Sequence, residues 1–176
     1  QGKGEDAEQK LYDLAETGKY GSGFEPFTAA LTQAIDMAAN EIRHRARLSR
    51  DYRPAPPVEA NAARITQVFL NLLVNAAQAM GTKEVAHNRI EIRAGLDASG
   101  RVQVEVEDNG SGIEPDQIDR VFDPFFTTKA SLGNSGLGLT SVQRTVLDHS
   151  GFLTCHSSPN RATVFQVYLP NKRLDE

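Results

Sequence analysis

The sequence contains little cysteine and no long apolar run. Its single cysteine, Cys155, cannot form a disulfide within the chain and cannot build a zinc site of several cysteine ligands. One free thiol is typical of a reducing compartment, so we expect a cytoplasmic location. No apolar run approaches the roughly 20 residues of a membrane-spanning helix. We therefore expect no membrane contact by this segment, although membrane anchoring of a longer parent protein is compatible with it.

An excess of charge of one sign is also missing. The chain of 176 residues has 19 Lys and Arg against 23 Asp and Glu, a formal net charge of −4, and these charges are dispersed. We expect no nucleic-acid partner, because neutralising phosphates usually needs a basic face. The length suits one domain with or without a short appendage. Because the chain begins at Gln1 and its only methionines are Met37 and Met80, we expect a piece of a longer protein.

Hydrophobic periodicity predicts intermixed helices and strands. The strongest helical pattern follows Asn61, a suitable N-cap, and ends at Gly81. Asp97-Ala98-Ser99-Gly100 separates two alternating strands and predicts a hairpin. The predicted helices are Glu5–Glu16, Phe24–Asn40, Ala62–Met80, Pro115–Val121 and Leu137–His149, and the predicted strands are Arg45–Tyr52, Arg89–Leu96, Arg101–Val106, Phe152–Ser157 and Thr163–Leu169. This order predicts the α+β class, with a mostly antiparallel sheet and helices on one face.

Three amide side chains lie on one stripe of the central helix. Asn71, Asn75 and Gln78 are four and three residues apart, so they share a face opposite the apolar one. One interpretation is a solvated polar surface. The other is that an amide oxygen binds a hard cation such as Mg²⁺. The spacing alone leaves both open.

An acidic, glycine-rich turn follows a predicted strand, with the sequence Asp108-Asn109-Gly110-Ser111-Gly112-Ile113. Asn-Gly is typical of a tight hairpin, but the residues after Ile113 predict a helix and not a second strand. The two glycines allow the backbone to approach a ligand closely. A carboxylate at the end of a strand can accept a hydrogen bond from an exocyclic amine, which is the chemistry that selects adenine over guanine.

A second glycine-rich segment, residues 133–139, leads into the last predicted helix. Backbone N–H groups at a helix start, freed by Gly136 and Gly138, form a site for phosphate, although the segment is equally a flexible connection. Neither Gly-x4-Gly-Lys-Ser/Thr nor Gly-x-Gly-x-x-Gly after a strand occurs. A nucleotide would therefore be held by another architecture.

An aromatic cluster precedes this segment, and residues 122–129 have the sequence Phe-Asp-Pro-Phe-Phe-Thr-Thr-Lys. Aromatic residues in a loop most often pack against one another. Lys129 follows them at a position from which its ammonium group can reach a phosphate. The four histidines, His44, His87, His149 and His156, have no metal-binding spacing.

The order of these segments resembles the ATP-binding catalytic domain of bacterial two-component sensor histidine kinases, in the superfamily of gyrase, chaperone, histidine kinase and MutL proteins. The resemblance covers Phe24 to Pro170. It implies ATP and Mg²⁺ as ligands and a two-layer α/β sandwich of the Bergerat type. It also implies a linker or the tail of a preceding helical phosphoacceptor segment at 1–23, the catalytic domain at 24–170 and a tail at 171–176. The Asp-Pro-Phe-Phe-Thr-Thr-Lys run and the Gln-Ala-Met helix end look most like the nitrogen-regulation branch.

The resemblance implies a role for each motif. Asn75 is similar to the residue that coordinates Mg²⁺, Asp108 to the one that bonds the adenine amine, and Thr163 to one that supports adenine through water. Asn71, Asn75 and Lys129 are the implied catalytic group, with Lys129–Ser135 as a mobile lid over the phosphates. Phe122, Phe125 and Phe126 match the aromatic box. The nucleotide-binding residues that the resemblance implies are Asn75, Gln78, Asp108, Gly110, Gly112, Ile113, Phe122, Phe126, Thr128, Lys129, Ser135, Gly136, Leu137, Gly138, Leu139 and Thr163.

Two positions depart from the family pattern. Gln78 stands where a lysine is common, and Arg161 stands where a glycine is expected before Ala162-Thr163. None of the four histidines is followed by an acidic residue, which is the acceptor context in this family. The resemblance therefore implies two partners, a histidine-containing dimerisation domain of the same protein and the receiver domain of a response regulator.

Two alternatives to a histidine kinase remain. One is an ATP-hydrolysing member of the superfamily, in which a glutamate four residues before the Mg²⁺ asparagine activates water. Here that position is Asn71, whose amide is a poor base, so transfer is favoured over hydrolysis. The other is a module that binds nucleotide without catalysis and serves as a partner surface.

Overall fold

The computed structural model describes residues 24–25, 27–81, 84–128, 136 and 138–171. The predicted helix Glu5–Glu16, most of the 171–176 tail, and the site residues Lys129, Ser135 and Leu137 lie outside these ranges. The expectations for them therefore stay predictions.

The described residues form a two-layer α/β structure. The strands are β1 Phe24–Glu25, β2 Arg47–Tyr52, β3 Val58–Glu59, β4 Arg89–Leu96, β5 Val102–Asp108, β6 Phe152–His156 and β7 Thr163–Leu169, and the α-helices are α1 Phe27–Arg43, α2 Ala62–Gln78 and α3 Gly138–Asp148. Single 3₁₀ turns occur at Val85–His87 and Ile118–Arg120. The main sheet has the order β2-β4-β5-β7-β6. Only β2 and β4 are parallel in it, so the sheet is mostly antiparallel as predicted.

The core lies between the helices and one face of the sheet. Alternate residues of β4, β5 and β7 are buried, as the period of two requires. Helix α2 packs against α1, α3 and the strands β4 and β5. Its apolar stripe is fully buried at Phe69, Leu72 and Leu73. Helix α2 is therefore the central element of the helical layer, and its polar edge faces away from the core.

The opposite face of the sheet carries polar side chains. The guanidinium of Arg93 forms ion pairs with Glu91 at 3.1 Å, with Glu105 at 2.8 Å and with Glu107. Hydrogen bonds from these carboxylates raise the pKa of Arg93 above its ordinary value. In the described part of the chain the helices lie on one face of the main sheet, as the sequence predicted.

Several predicted boundaries differ from the structure, most clearly in the first helix and at Pro115–Val121. Phe24–Glu25 pairs as a strand with Val58–Glu59, so the first helix begins at Phe27, and it continues to Arg43 where the prediction ended at Asn40. Pro115–Val121 contains only the 3₁₀ turn Ile118–Arg120, because the segment has too few apolar residues to bury a full helix. Within the described ranges, none of the α-helices has the length and apolar character to cross a bilayer.

Candidate nucleotide site

A cavity of about 350 Å³ opens between α2, the first turn of α3 and the loop that follows β5. It lies at the edge of the helical layer. Twelve residues that the sequence singled out line it, namely Asn71, Asn75, Gln78, Asp108, Gly112, Ile113, Phe126, Thr128, Gly136, Gly138, Leu139 and Thr163. The fold therefore brings three of the four motifs together around one space, with part of the aromatic motif beside them.

The floor of the cavity carries a buried carboxylate. Asp108 is the last residue of β5, is 2% exposed, and is aligned with Thr163 of the neighbouring β7. Its Oδ1 accepts a hydrogen bond from the backbone N–H of Gly110 at 2.9 Å. The hydroxyl of Thr163 lies 2.7 Å from that of Ser157, whose oxygen also accepts from the N–H of Ile113 at 2.9 Å. This end of the cavity is thus a buried, polar and closely supported pocket.

Cys155 shares this environment from the adjacent strand. Burial, together with the nearby carboxylate of Asp108, raises the pKa of its thiol to about 12. The thiol therefore stays protonated at neutral pH. It is the only cysteine in the chain.

The turn after Asp108 packs against two other backbone segments. The N–H of Ser111 donates to the carbonyl of Ala79 at the end of α2, at 3.0 Å. A Cβ at Gly110 would lie 2.5 Å from that same carbonyl oxygen. Gly112 has φ +74°, and a Cβ there would lie 2.0 Å from the carbonyl oxygen of Ser158. Both glycines are therefore required by close backbone packing, and Gly110 contacts α2 rather than the cavity.

The departure at Arg161 is accommodated by its neighbour. Asn160 adopts φ 55°, the left-handed conformation that asparagine tolerates better than most residues. The N–H of Arg161 closes the turn on the carbonyl of Ser158 at 3.1 Å, and the N–H of Asn160 donates to the carbonyl of Ser111 at 2.8 Å. The turn between β6 and β7 thus forms without a glycine and supports the loop after β5.

Asn109 fixes the position of Asp108 from outside the cavity. Its Oδ1 accepts from the N–H of Arg89 at 2.6 Å, and its Nδ2 donates to the carbonyl of His87 at 2.7 Å. The side chain therefore ties the end of β5 to the start of β4. The sequence alone indicates no separate role for Asn109.

The amide stripe of α2 forms one wall. Asn71, Asn75 and Gln78 all line the cavity. The Nδ2 of Asn71 donates to the carbonyl of Gly138 at 3.4 Å, and its Oδ1 accepts from Gln67 at 3.1 Å. Both ends of the Asn71 amide are thus engaged, and this residue connects α2 to the first turn of α3.

The aromatic motif divides between the core and the cavity. Phe122 packs edge-on against Phe165, with ring centroids 6.3 Å apart, and is not among the cavity residues. Phe126 lines the cavity, and the guanidinium of Arg120 lies 4.6 Å from its ring centroid. Phe125 is 74% exposed, and its N–H donates to the carbonyl of Gly136 at 3.1 Å. Of the three, Phe126 is the one that lines the cavity.

Several lining residues were missed by the sequence analysis. These are Val74, Ala79, Ser111, Gln117, Val121 and Thr127. Most are apolar or small and carry no chemical signature. Position was the one signal for some of them: Ser111 and Thr127 lie inside two of the motifs, and Val74 and Ala79 are near the amide stripe on the central helix.

Comparisons with known proteins show the family to which the chain belongs. A family model described as histidine kinase-, DNA gyrase B-, and HSP90-like ATPase matches residues 60–173. The chain is 40% identical over 115 residues to the sensor histidine kinase ZraS of Escherichia coli strain K12, which covers 65% of this chain and 23% of ZraS. It is 36% identical over 156 residues to the sensory histidine kinase/phosphatase NtrB of Rhizobium meliloti strain 1021, which covers 81% of this chain and 40% of NtrB. The chain thus spans less than half the length of these relatives.

Solved structures give the same result for the fold. The catalytic domain of the histidine kinase ThkA has a TM-score of 0.68 at 28% identity, covering 81% of this chain and 92% of that one. The mycobacterial sensor histidine kinase MprB has a TM-score of 0.71 at 24% identity, covering 84% of this chain and 97% of that one. The likeness to NtrB is consistent with the nitrogen-regulation branch. The chain belongs to the family of histidine kinase-, DNA gyrase B- and HSP90-like ATPases, and its sequence relatives ZraS and NtrB are sensor histidine kinases.

Proposed function

We propose that this chain is the ATP-binding catalytic domain of a sensor histidine kinase and transfers the γ-phosphoryl group of Mg-ATP to a histidine on a separate domain. One observation carries the proposal. A single cavity has a buried carboxylate at its floor, and the amide stripe of α2 and the start of α3 along its walls.

The floor suits adenine. A carboxylate has about four lone-pair sites, so accepting from Gly110 leaves Asp108 able to accept from an exocyclic amine as well. Guanine has a carbonyl oxygen at that position. It would face the Asp108 carboxylate, so two hydrogen-bond acceptors would meet without a donor between them. Thr163, Ser157 and Ile113 form a hydrogen-bonded group beside the carboxylate that can order a water against the base.

The walls suit a triphosphate with its cation. Mg²⁺ accepts oxygen ligands and usually keeps several waters, so the amide oxygen of Asn75 with phosphate oxygens satisfies its preferences. When bound, the ion neutralises charge that develops on the phosphoryl oxygens. The first turn of α3 places backbone N–H groups at the cavity, and a Cβ at Gly138 would meet nothing within 4 Å, which leaves space there for phosphate. Gln78 contributes an amide in place of a positive charge.

The chemistry and the hydrogen bonds of Asn71 favour phosphoryl transfer over ATP hydrolysis. Its amide is a poor general base, and hydrogen bonds with Gln67 and Gly138 already occupy it. The role of this side chain is therefore to hold two helices together.

The acceptor histidine and the partners follow from the same proposal. No histidine of this chain precedes an acidic residue, and none lines the cavity. The acceptor then lies on a dimerisation domain of the same protein, which passes the phosphoryl group to the receiver domain of a response regulator. A cytoplasmic location belongs to this proposal, because ATP and such a receiver are found there.

The test is incubation of this chain with γ-labelled ATP and Mg²⁺, with and without the histidine hairpin of its parent protein supplied separately. In-line transfer needs the nucleophile held close, and tethering it is worth about 7–11 kcal/mol of barrier. We expect acid-labile label on the hairpin, none on this chain, and slow phosphate release.

Two controls separate the alternatives. A hairpin whose acceptor histidine is replaced by alanine should remain unlabelled. Rapid phosphate release by this chain alone would favour the hydrolysing ATPase, and ATP binding without any label on the hairpin would favour the non-catalytic module.

A further inference from the structure

Helices α2 and α3 run antiparallel, and polar contacts with α2 are made at both ends of α3. At the cavity end, the Asn71 side chain donates to the carbonyl of Gly138, the first residue of α3. At the other end, the N-terminal turn of α2 meets the last residue of α3 and the residue after it, Asp148 and His149. The two contacts are ten residues apart along α3, about 15 Å at 1.5 Å per residue. The remote contact therefore touches no part of the cavity.

Helix α3 has little apolar surface with which to hold itself in place. It has 11 residues, and only Val142, Thr145 and Val146 are buried, while Leu147 is 58% exposed. A helix this short is marginal on its own and depends on tertiary contacts. Helix α2 buries eight residues. The orientation of α3 is thus more sensitive than the orientation of α2 to polar contacts at the helix ends.

His149 joins the C-terminal end of α3 to the N-cap of α2. Its Nε2 lies 3.1 Å from the backbone N–H of Asn61, and its Nδ1 lies 2.7 Å from the carbonyl of Thr145. Nε2 must accept the first bond, so Nδ1 carries the proton and donates the second. Asn61 itself caps α2 by accepting from the N–H of Arg64 at 3.0 Å. One imidazole therefore spans the ends of both helices.

An ion pair stands beside this histidine. The guanidinium of Arg64 bonds the carboxylate of Asp148 at 2.5 Å, with the two side chains 46% and 45% exposed. The Arg64 hydrogen bond lowers the pKa of Asp148 below its ordinary value. A half-exposed ion pair contributes little to the free energy of unfolding. The ion pair instead affects the orientation of α3, because it holds the end of α3 against the first turn of α2.

We propose that Arg64, Asp148 and His149 are positioning residues of the nucleotide site. By locking the remote end of α3 to the start of α2, they set the angle at which the first turn of α3 faces Asn75 and the phosphates. The inference rests on the proposed function, because it assigns the phosphate end of ATP to these two helices. In the proposed function adenine contacts Asp108 and Thr163, whereas the hydrogen bonds of Arg64, Asp148 and His149 join α2 to α3.

The test compares the affinities of Mg-ATP and adenosine in the full chain, by nuclear magnetic resonance titration of the Gly110 and Gly112 amide signals. Arg64→Ala, Asp148→Asn and His149→Leu should each weaken Mg-ATP by about threefold to thirtyfold, the range found for residues that act through another element. Adenosine affinity should be unchanged. The exchanged pair Arg64→Asp with Asp148→Arg, and separately His149→Gln, should restore part of the loss.

The matched control is Arg45→Ala. Arg45 forms a similarly exposed pair with Glu41 at 3.5 Å, away from the cavity, and its loss should change neither affinity. Equal weakening of adenosine and Mg-ATP in the Arg64 and Asp148 variants, or no weakening of either, would overturn the positioning role. Absence of ATP binding by the unsubstituted chain would instead overturn the proposed function and this inference together.

Discussion

The choice of base depends on Asp108. Strand β5 buries every second residue, Val102, Val104 and Val106, and the same period places Asp108 on the inner face. A carboxylate in that position is costly unless it is hydrogen-bonded, and the N–H of Gly110 supplies one bond. The carboxylate is thus held ready for a donor from the ligand.

Replacing Asp108 by asparagine should lower ATP affinity and narrow the preference for ATP over GTP. The asparagine amide can donate a hydrogen bond as well as accept one. The guanine carbonyl would therefore no longer face a group that can only accept. The expected change in the relative binding free energy is about 1–3 kcal/mol. Calorimetric titration with each nucleotide measures it.

Asp51→Asn is the control for this measurement. Asp51 is an exposed carboxylate on the edge strand β2, and its replacement should leave both affinities unchanged. An unaltered ratio of ATP to GTP affinity in the Asp108 variant would show that another group selects the base.

The loop after β5 depends on glycine more than on any side chain. At Gly112 the backbone has a positive φ, and the carbonyl of Ser158 occupies the space a Cβ would need. Relief would require the loop to separate from the β6–β7 turn, where the N–H of Asn160 also donates a hydrogen bond to the carbonyl of Ser111 in the loop. The loop, the turn and the end of α2 therefore behave as one unit.

Gly112→Ala should accordingly lower the free energy of unfolding by about 1–3 kcal/mol. Urea denaturation followed by circular dichroism measures the change. Gly81→Ala serves as the control, because a Cβ at Gly81 meets nothing within 4 Å and its φ is not positive. Equal stability of the two variants would contradict the packing described for this loop.

Elements with clear periodicity could be predicted, and those defined by distant partners could not. The buried stripe of α2 and the alternation of β4 and β7 are strong local signals, and both predictions are confirmed. The strand after the hairpin was predicted to end at Val106, because the apolar alternation stops there, but it continues to Asp108 by pairing with Thr163. Likewise β1 and β3 are two residues each and exist only through their mutual pairing, which no local pattern indicates.

For the molecule as a whole, the order of motifs predicted the family and most of the described cavity residues. It did not predict which residues pack together to form the cavity walls. Phe122 was assigned to the ligand by its motif, yet it packs on Phe165 in the core. Ala79 was not assigned, yet it lines the cavity because the glycine turn packs on the end of α2. Polar and charged side chains in a motif can be recognised from the sequence. Packing partners cannot, because they depend on the complete fold.

The central claim is that one cavity holds ATP with its phosphates and cation against the amide stripe of α2. Calorimetric titration of the Asn75→Ala variant with Mg-ATP and with metal-free ADP tests it most directly. Asn40→Ala, an exposed asparagine of α1, is the matched control and should bind both as the unsubstituted chain does. Loss of one oxygen ligand for Mg²⁺ should weaken Mg-ATP much more than metal-free ADP. Equal weakening of the two nucleotides, or no weakening of Mg-ATP, would contradict the claim.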